Sequence, residues 1–208
     1  MAITNGYCTL AEVKSAARIS DSTDDTLLEN CIEAASRRID GYVGRFFYQN
    51  TATIKLYLTD TSIITPTSYN SYVLPTDDLV SVTTLKTDDA GDGTFSTTWT
   101  NSDYRLEPLN SVALGRPFRK VIATNTGKSF PVIVAPPMPG VQIEGVWGWP
   151  AVPDDIREAC VLMSLRLFSR YNAPLGVLGF GEIGTVSVRA VDPDIRDILN
   201  PYRLVGLA

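Results

Sequence analysis

The sequence predicts an α+β protein: a small helical bundle interrupted by an inserted antiparallel β-rich subdomain, with a C-terminal loop or hairpin and a short last helix. Three observations predict it. Apolar residues recur at steps of three and four towards both ends of the chain, which is the helical period. The stretch between them is rich in Thr, Ser, Gly, Pro and Asp and carries short alternating runs. Helical spacing then returns at Pro153. The chain therefore divides into an N-terminal helical part (1–50), a β-rich insertion (51–149) and a C-terminal helical part (150–208).

The first helix opens at Thr9, with Glu12 three residues on, the spacing at which each side chain caps the other's backbone N–H. It should run to about Arg18. A second box, Ser22 to Asp25, opens a longer helix whose stripe is Leu28, Cys31, Ile32, Ala35, Ile39 and Tyr42. Glu29, Glu33 and Arg37 lie opposite, with Glu33–Arg37 an expected ion pair four residues apart. Gly41 and Gly44 are the stop signals.

In the middle stretch, Lys55-Leu56-Tyr57-Leu58, Val80-Ser81-Val82-Thr83 and Val141-Gln142-Ile143-Glu144 have strand character, and Val132-Ile133-Val134 is apolar on both faces. Asp88 to Gly93 reads as a turn. Pro153 suits the first turn of the third helix, and Asp154, Asp155 and Glu158 suit the positive end of its dipole. Ile156, Cys160, Met163, Leu167 and Tyr171 form its stripe, and Val161, Leu162, Leu165 and Phe168 leave little polar surface elsewhere. Residues 174–184 are a glycine-rich loop, Thr185-Val186-Ser187-Val188-Arg189 alternates like a strand, and Asp192-Pro193 starts a last helix with Ile195, Ile198 and Leu199 on one side. Pro201 should end it.

Composition narrows the function. The formal charge is -5 and there is no histidine. Net acidity argues against a non-specific nucleic-acid binder, which needs a surplus of Lys and Arg. Without histidine, Ser-His-Asp and Cys-His catalysis are excluded. Cys8, Cys31 and Cys160 are far apart, so there is no CxxC motif; reduced, packed thiols in a cytosolic setting are expected. The N-terminus does not read as a signal peptide, and no run approaches the roughly 18 apolar residues needed to cross a bilayer.

Several segments resemble chemical motifs without their setting. Gly179-Phe180-Gly181-Glu182-Ile183-Gly184 matches GxGxxG, but a dinucleotide site needs a strand before it and a helix after it, and here a loop precedes and a β-like run follows. Thr126-Gly127-Lys128-Ser129 resembles the end of a phosphate loop, yet Ile122 stands where a glycine is needed and Phe130-Pro131 blocks a helix. The Asp88 turn lacks the spaced acids and closing glutamate of a calcium loop. Asp24-Asp25 and Asp154-Asp155 sit at helix starts, where capping explains them. Arg116, Arg119 and Lys120 around Phe118 read as a solvated or subunit-facing patch. Trp147 and Trp149 read as packing rather than a ligand platform. No metal, cofactor or catalytic residue is expected.

Tyr7, Thr9-Leu10, Val13-Lys14, Asp24-Asp25, Leu28, Ala34-Ala35-Ser36, Ile39-Asp40 and Gly44-Arg45-Phe46-Phe47 together resemble the N-terminus of tailed-bacteriophage head-to-tail connector (adaptor) proteins of the gp6-like or gp15-like family. Gly148-Trp149-Pro150, Val152-Pro153, Ile156 and Ala159-Cys160 resemble its second half, in the form common in actinobacterial phages. The resemblance covers about half the chain and rests on the order of these segments. It implies a non-enzymatic virion protein of the neck, assembled in the host cytoplasm as a ring, usually twelvefold, beneath the portal protein. Its partners would be the portal, neighbouring copies, stopper or other neck and tail proteins, and packaged DNA passing through the lumen without specific binding; no membrane is involved. At -5 per subunit a twelvefold ring carries about -60 formally, which lets DNA slide rather than stick. The interface candidates are the apolar residues of the glycine-rich loop, Leu175, Val177, Leu178, Phe180 and Ile183, and of the tail, Tyr202, Arg203, Leu204, Val205 and Leu207. The rival readings are another virion or host-interaction module whose insertion holds a protein or carbohydrate, and a nucleotide-using enzyme.

Overall fold

A computed structural model describes residues 3–58, 72–125, 127–131, 138–172 and 193–204. The chain forms two compact units, one from residues 1–48 and 152–208, the other from residues 49–151.

The first unit is helical: α1 (Leu10–Ala17), α2 (Asp25–Val43), α3 (Asp154–Asn172) and α4 (Pro193–Leu199), the last continued by a 3-10 turn (Asn200–Tyr202). The capping box of α1 forms as expected, with Thr9 Oγ1 accepting from the Glu12 N–H and the Glu12 carboxylate accepting the Thr9 N–H. Arg18 closes this helix in the left-handed conformation. The α2 stripe is buried through Leu28, Cys31, Ile32, Ala35 and Ile39, but Val43 rather than Tyr42 completes it. Against it pack Ile156, Ala159 and Cys160 of α3, while Ile195 and Leu199 bury the inner side of α4. Gly44 ends α2 at a φ of 72°, a conformation that costs a residue with a Cβ but not glycine. Gly41 lies within the helix and does not stop it.

Two local expectations are corrected. Ser22 and Asp25 do not form a capping box: Asp24 occupies the N-cap without a side-chain bond, and Asp25 is engaged by the Lys14 ammonium. Glu33 and Arg37 do not pair with each other. Glu33 accepts the backbone N–H groups of Thr4 and Asn5, and Arg37 pairs with Asp40 at 3.0 Å. The Thr4 and Asn5 amides claim the carboxylate, and that tertiary demand outweighs the weak helix-surface pair. The α3 stripe is also shorter than its spacing suggests. It is buried to Ser164, half-buried from Leu165, and its Tyr171 is 62% exposed.

Among its described residues, the second unit is a six-stranded antiparallel sheet in the order β1-β6-β2-β5-β4, with β3 also pairing β2. The strands are β1 (Asn50–Leu58), β2 (Val73–Thr87), β3 (Thr97–Trp99), β4 (Tyr104–Glu107), β5 (Phe118–Ala123) and β6 (Pro139–Trp147). The runs around Lys55, Val80 and Val141 fall within β1, β2 and β6. β3, β4 and β5 are additional to the sequence reading, and residues 132–134 lie outside the described residues. β2 spans the sheet, pairing β5 early and β3 late, with register shifts between Pro75 and Leu79, Leu79 and Ser81, and Val82 and Thr84. Leu74, Leu79, Leu85, Val121, Val141, Ile143 and Trp147 form its core. Gly145 is required where β6 meets β2: a Cβ there would lie 2.2 Å from the Ser81 carbonyl oxygen.

Candidate functional site

Among the described residues, several segments with a chemical look have a structural occupation. The Asp88 carboxylate, shielded from solvent, accepts the backbone N–H groups of Gly91 (2.8 Å), Asp92 (3.3 Å) and Gly93 (2.7 Å). Burial works against its charge, but these bonds together outweigh burial and hold its pKa below the ordinary carboxylate value. N–H donors therefore fill the place a cation would need. Lys128 sits with its ammonium 5.8 Å from the centre of the Trp99 ring, beside a cavity of about 270 Å³ lined by Thr87, Trp99 and Ser129 among others. Trp99 is stacked on Phe130 and donates to Thr87 Oγ1. Residues 128–131, directly after Gly127, are not helical, so its amides are not gathered at a helix N-terminus as a phosphate loop requires.

The two tryptophans of β6 and its exit are packing residues. Trp147 is fully buried and donates to the Thr53 carbonyl at 2.8 Å, with the Lys55 ammonium 4.6 Å from its ring centre. Trp149 donates to the carboxylate of Asp78 at 3.1 Å. Gly148 between them, at a φ of 104°, donates to the Asp78 carbonyl and turns the chain so that both indoles face inwards. Of the basic cluster, Arg119 reaches towards Asp78 at 3.8 Å and Lys120 stands opposite Glu107 in the ladder, with Arg116 exposed before them. The cluster is interleaved with acids and makes no continuous phosphate track.

The surface that stands out was not singled out by sequence. Ile54, Leu56 and Leu58 project from one face of β1, which lies at one end of the described strand order, and Leu56 is 52% exposed. Leu109, Val112 and Leu114 project from the turn between β4 and β5, at the other end, with Val112 76% exposed. That turn is built rather than loose. Ser111 is buried and donates to the Pro117 carbonyl, Arg116 N–H returns to Ser111 O, and Gly115 supplies a φ of 60°. The signal for β1 was present but two-sided, since Lys55 and Tyr57 on the other face bury apolar atoms as well. The turn's apolar residues were hidden among turn-forming neighbours.

The sequence-derived interface candidates divide. Leu175, Val177, Leu178, Phe180, Ile183, Val205 and Leu207 lie outside the described residues, as does the GxGxxG segment. Tyr202, Arg203 and Leu204 are fastened to their own unit. Tyr202 donates to Asp155 at 3.1 Å and sets its ring edge-on to Phe47, Arg203 lies over the Tyr42 ring, and the Leu204 N–H donates to the Val43 carbonyl at 2.9 Å. Arg203 and Leu204 thus lie against the C-terminal end of α2.

Residues 7–73, about a third of the chain, match the family model described as phage gp6-like head-tail connector protein. No curated protein matches the chain. Among solved structures, a chain from the neck of an empty GTA particle computed with C6 symmetry is similar, with a TM-score of 0.52 and 19% identity over 100% of this chain and 95% of that one. The likeness to head-to-tail connectors read from the sequence is thereby borne out, as is the α+β architecture. A connector joins two parts of a particle and turns over no substrate, which agrees with the non-enzymatic reading.

Proposed function

We propose that this chain is a structural neck protein that forms a ring beneath the portal, joins capsid to tail and continues the DNA channel. The observation that carries the reading is the match of residues 7–73 to head-tail connectors. The similar chain in a GTA neck adds that the fold occurs at such a junction in a particle computed with C6 symmetry. Rings of six or of twelve copies satisfy that symmetry, and twelve is the size the resemblance implies.

The two apolar surfaces of the sheet support a ring of identical copies. Cyclic assembly needs two different, complementary surfaces on each subunit, because every copy gives one and receives the other. The strip of β1 and the knob between β4 and β5 are two such surfaces at opposite ends of one sheet. Neighbouring copies are the occupant we assign to them. The loop at 174–184 and the tail beyond Leu204 remain the proposed portal contacts. Net acidity keeps the lumen from binding DNA.

Reconstituting the chain with its portal tests the reading. The expected result is a ring on the portal, seen by electron microscopy, that Leu56→Glu or Val112→Glu prevents while leaving the monomer's melting temperature within a few degrees. Failure of the wild-type chain to bind portal, together with saturable binding of a sugar or nucleotide, overturns it.

A further inference from the structure

The helical unit contains a pair of sulfur atoms that the connector reading does not use. Cys8, immediately before the N-cap of α1, and Cys160, in the second turn of α3, are 152 residues apart in sequence, and their Sγ atoms are 3.3 Å apart. Both are free thiols and both are buried. We infer that Cys8 and Cys160 are a latent disulfide, held in contact as thiols and closed by a peroxide to fasten the N-terminal segment onto α3.

The geometry needs little change. A disulfide bond is about 2.05 Å long, so the sulfurs must approach by a little over 1 Å. Cys8 lies outside helical structure, so no helix of its own resists the movement. The surroundings assign the roles. The Cys8 thiol donates to the Cys160 sulfur, and that bond draws the Cys160 thiol below the ordinary thiol value. The same bond, with burial, pushes the Cys8 thiol up. Ser36 Oγ lies 3.4 Å from the Cys160 sulfur, but its own proton goes to the Ile32 carbonyl, as that of Ser164 goes to the Cys160 carbonyl. Cys8 is therefore the main donor, and Cys160 is the sulfur on which negative charge is better borne. Cys31 differs, since burial alone acts on it and raises it.

The chemistry balances with one peroxide. The Cys160 thiolate attacks a peroxide oxygen, the O–O bond breaks, and the departing hydroxide takes up a proton as water, leaving Cys160 a sulfenic acid. The Cys8 sulfur then attacks that sulfur. The S–S bond forms, the S–OH bond breaks, and the hydroxide leaves with the Cys8 proton as a second water. Two thiols have lost two electrons and one peroxide has gained them. Burial excludes bulky oxidants and selects a small one, while a reducing cytosol keeps the pair open during assembly. Once closed, the bond would enclose the whole second unit in its loop and restrict the unfolded chain accordingly.

The test needs only the wild-type full chain and does not rest on its being a connector. Treat the reduced protein with sub-millimolar hydrogen peroxide, alkylate in denaturant and map the peptides by mass spectrometry. The expected result is a linked Cys8–Cys160 peptide within one chain, Cys31 alkylated as a thiol, and a melting temperature raised by several degrees that dithiothreitol reverses. Recovery of all three cysteines as thiols, links involving Cys31 or a second chain, or Cys160 oxidised to the sulfinic acid without a link would each overturn it.

Discussion

The backbone N–H of Tyr7 donates to the hydroxyl oxygen of Ser36 at 3.0 Å, inside the helical unit and away from water. Ser36 hands its own proton to the Ile32 carbonyl one turn back. Ser36, on the buried side of α2, is thus a polar anchor for the N-terminal segment. Ser36→Ala leaves a buried amide without its acceptor, and its expected cost is about 2 kcal/mol in urea unfolding. A loss under about 0.5 kcal/mol, the range of ordinary surface substitutions, would show that the anchor is dispensable.

Gly145→Ala should be the most damaging single methyl in the sheet. The added Cβ meets the Ser81 backbone oxygen at 2.2 Å, and β2 can yield only by giving up ladder bonds. The expected loss is about 3 kcal/mol, at the upper end of overpacking costs. All three tryptophans, Trp99, Trp147 and Trp149, belong to the second unit, so intrinsic fluorescence reports its melting separately from the helices. An unchanged fluorescence midpoint in Gly145→Ala would contradict the register.

Asp88 gives a pH signature. Its pKa in the folded protein is below the ordinary value because backbone N–H groups bind the charged form, against the opposing effect of burial. A carboxylate depressed in this way contributes stability above its unfolded pKa, near 3.8, and loses it as pH falls through the lower folded value. Asp103, which accepts from Thr100 and Asn125, is depressed likewise. Asp88→Asn should therefore be less stable than wild type at pH 7, and the gap should close below pH 4, as followed by tryptophan fluorescence. A gap that stays constant from pH 7 to pH 3 would remove the charge from the explanation.

Two truncations separate anchoring from docking at the C-terminus. Ending the chain after Asn200 removes the contacts of Tyr202, Arg203 and Leu204 with α2, α3 and Phe47, and melting should fall by several degrees. Ending it after Leu204 keeps those contacts, so melting should stay close to wild type while portal binding is lost. Retained portal binding by the longer truncation would transfer the docking role elsewhere.

Sequence reading succeeded where a local rule had no competitor. Thr9 and Glu12 cap each other through one carboxylate oxygen, and Arg157, 3.9 Å from the other, does not displace the cap; the 3–4 spacing in α2 identified buried residues from Leu28 to Ile39. It failed where a distant group claimed a side chain, as the N-terminal amides claim Glu33. In the sheet, β3 and β4 are three and four residues long, too short for alternation to show, and β5 begins inside a charged run at Phe118-Arg119-Lys120. The exposed strip on β1 was illegible for a different reason. Which face of a two-sided apolar strand turns outwards depends on its partner, and the Ile54–Glu144 register is not written in either strand alone.

The pairing of Asn50 with Trp147 has a consequence for how such a chain can change. The first and last strands of the second unit are neighbours, and Gln49 donates to the Pro150 carbonyl at 2.7 Å just outside them. The polypeptide departs and returns at one doorway. A sheet attached in that manner can be lengthened, trimmed or exchanged wholesale with only a short splice to rejoin the helices. Such a change would leave the helical unit's own chain path as it was.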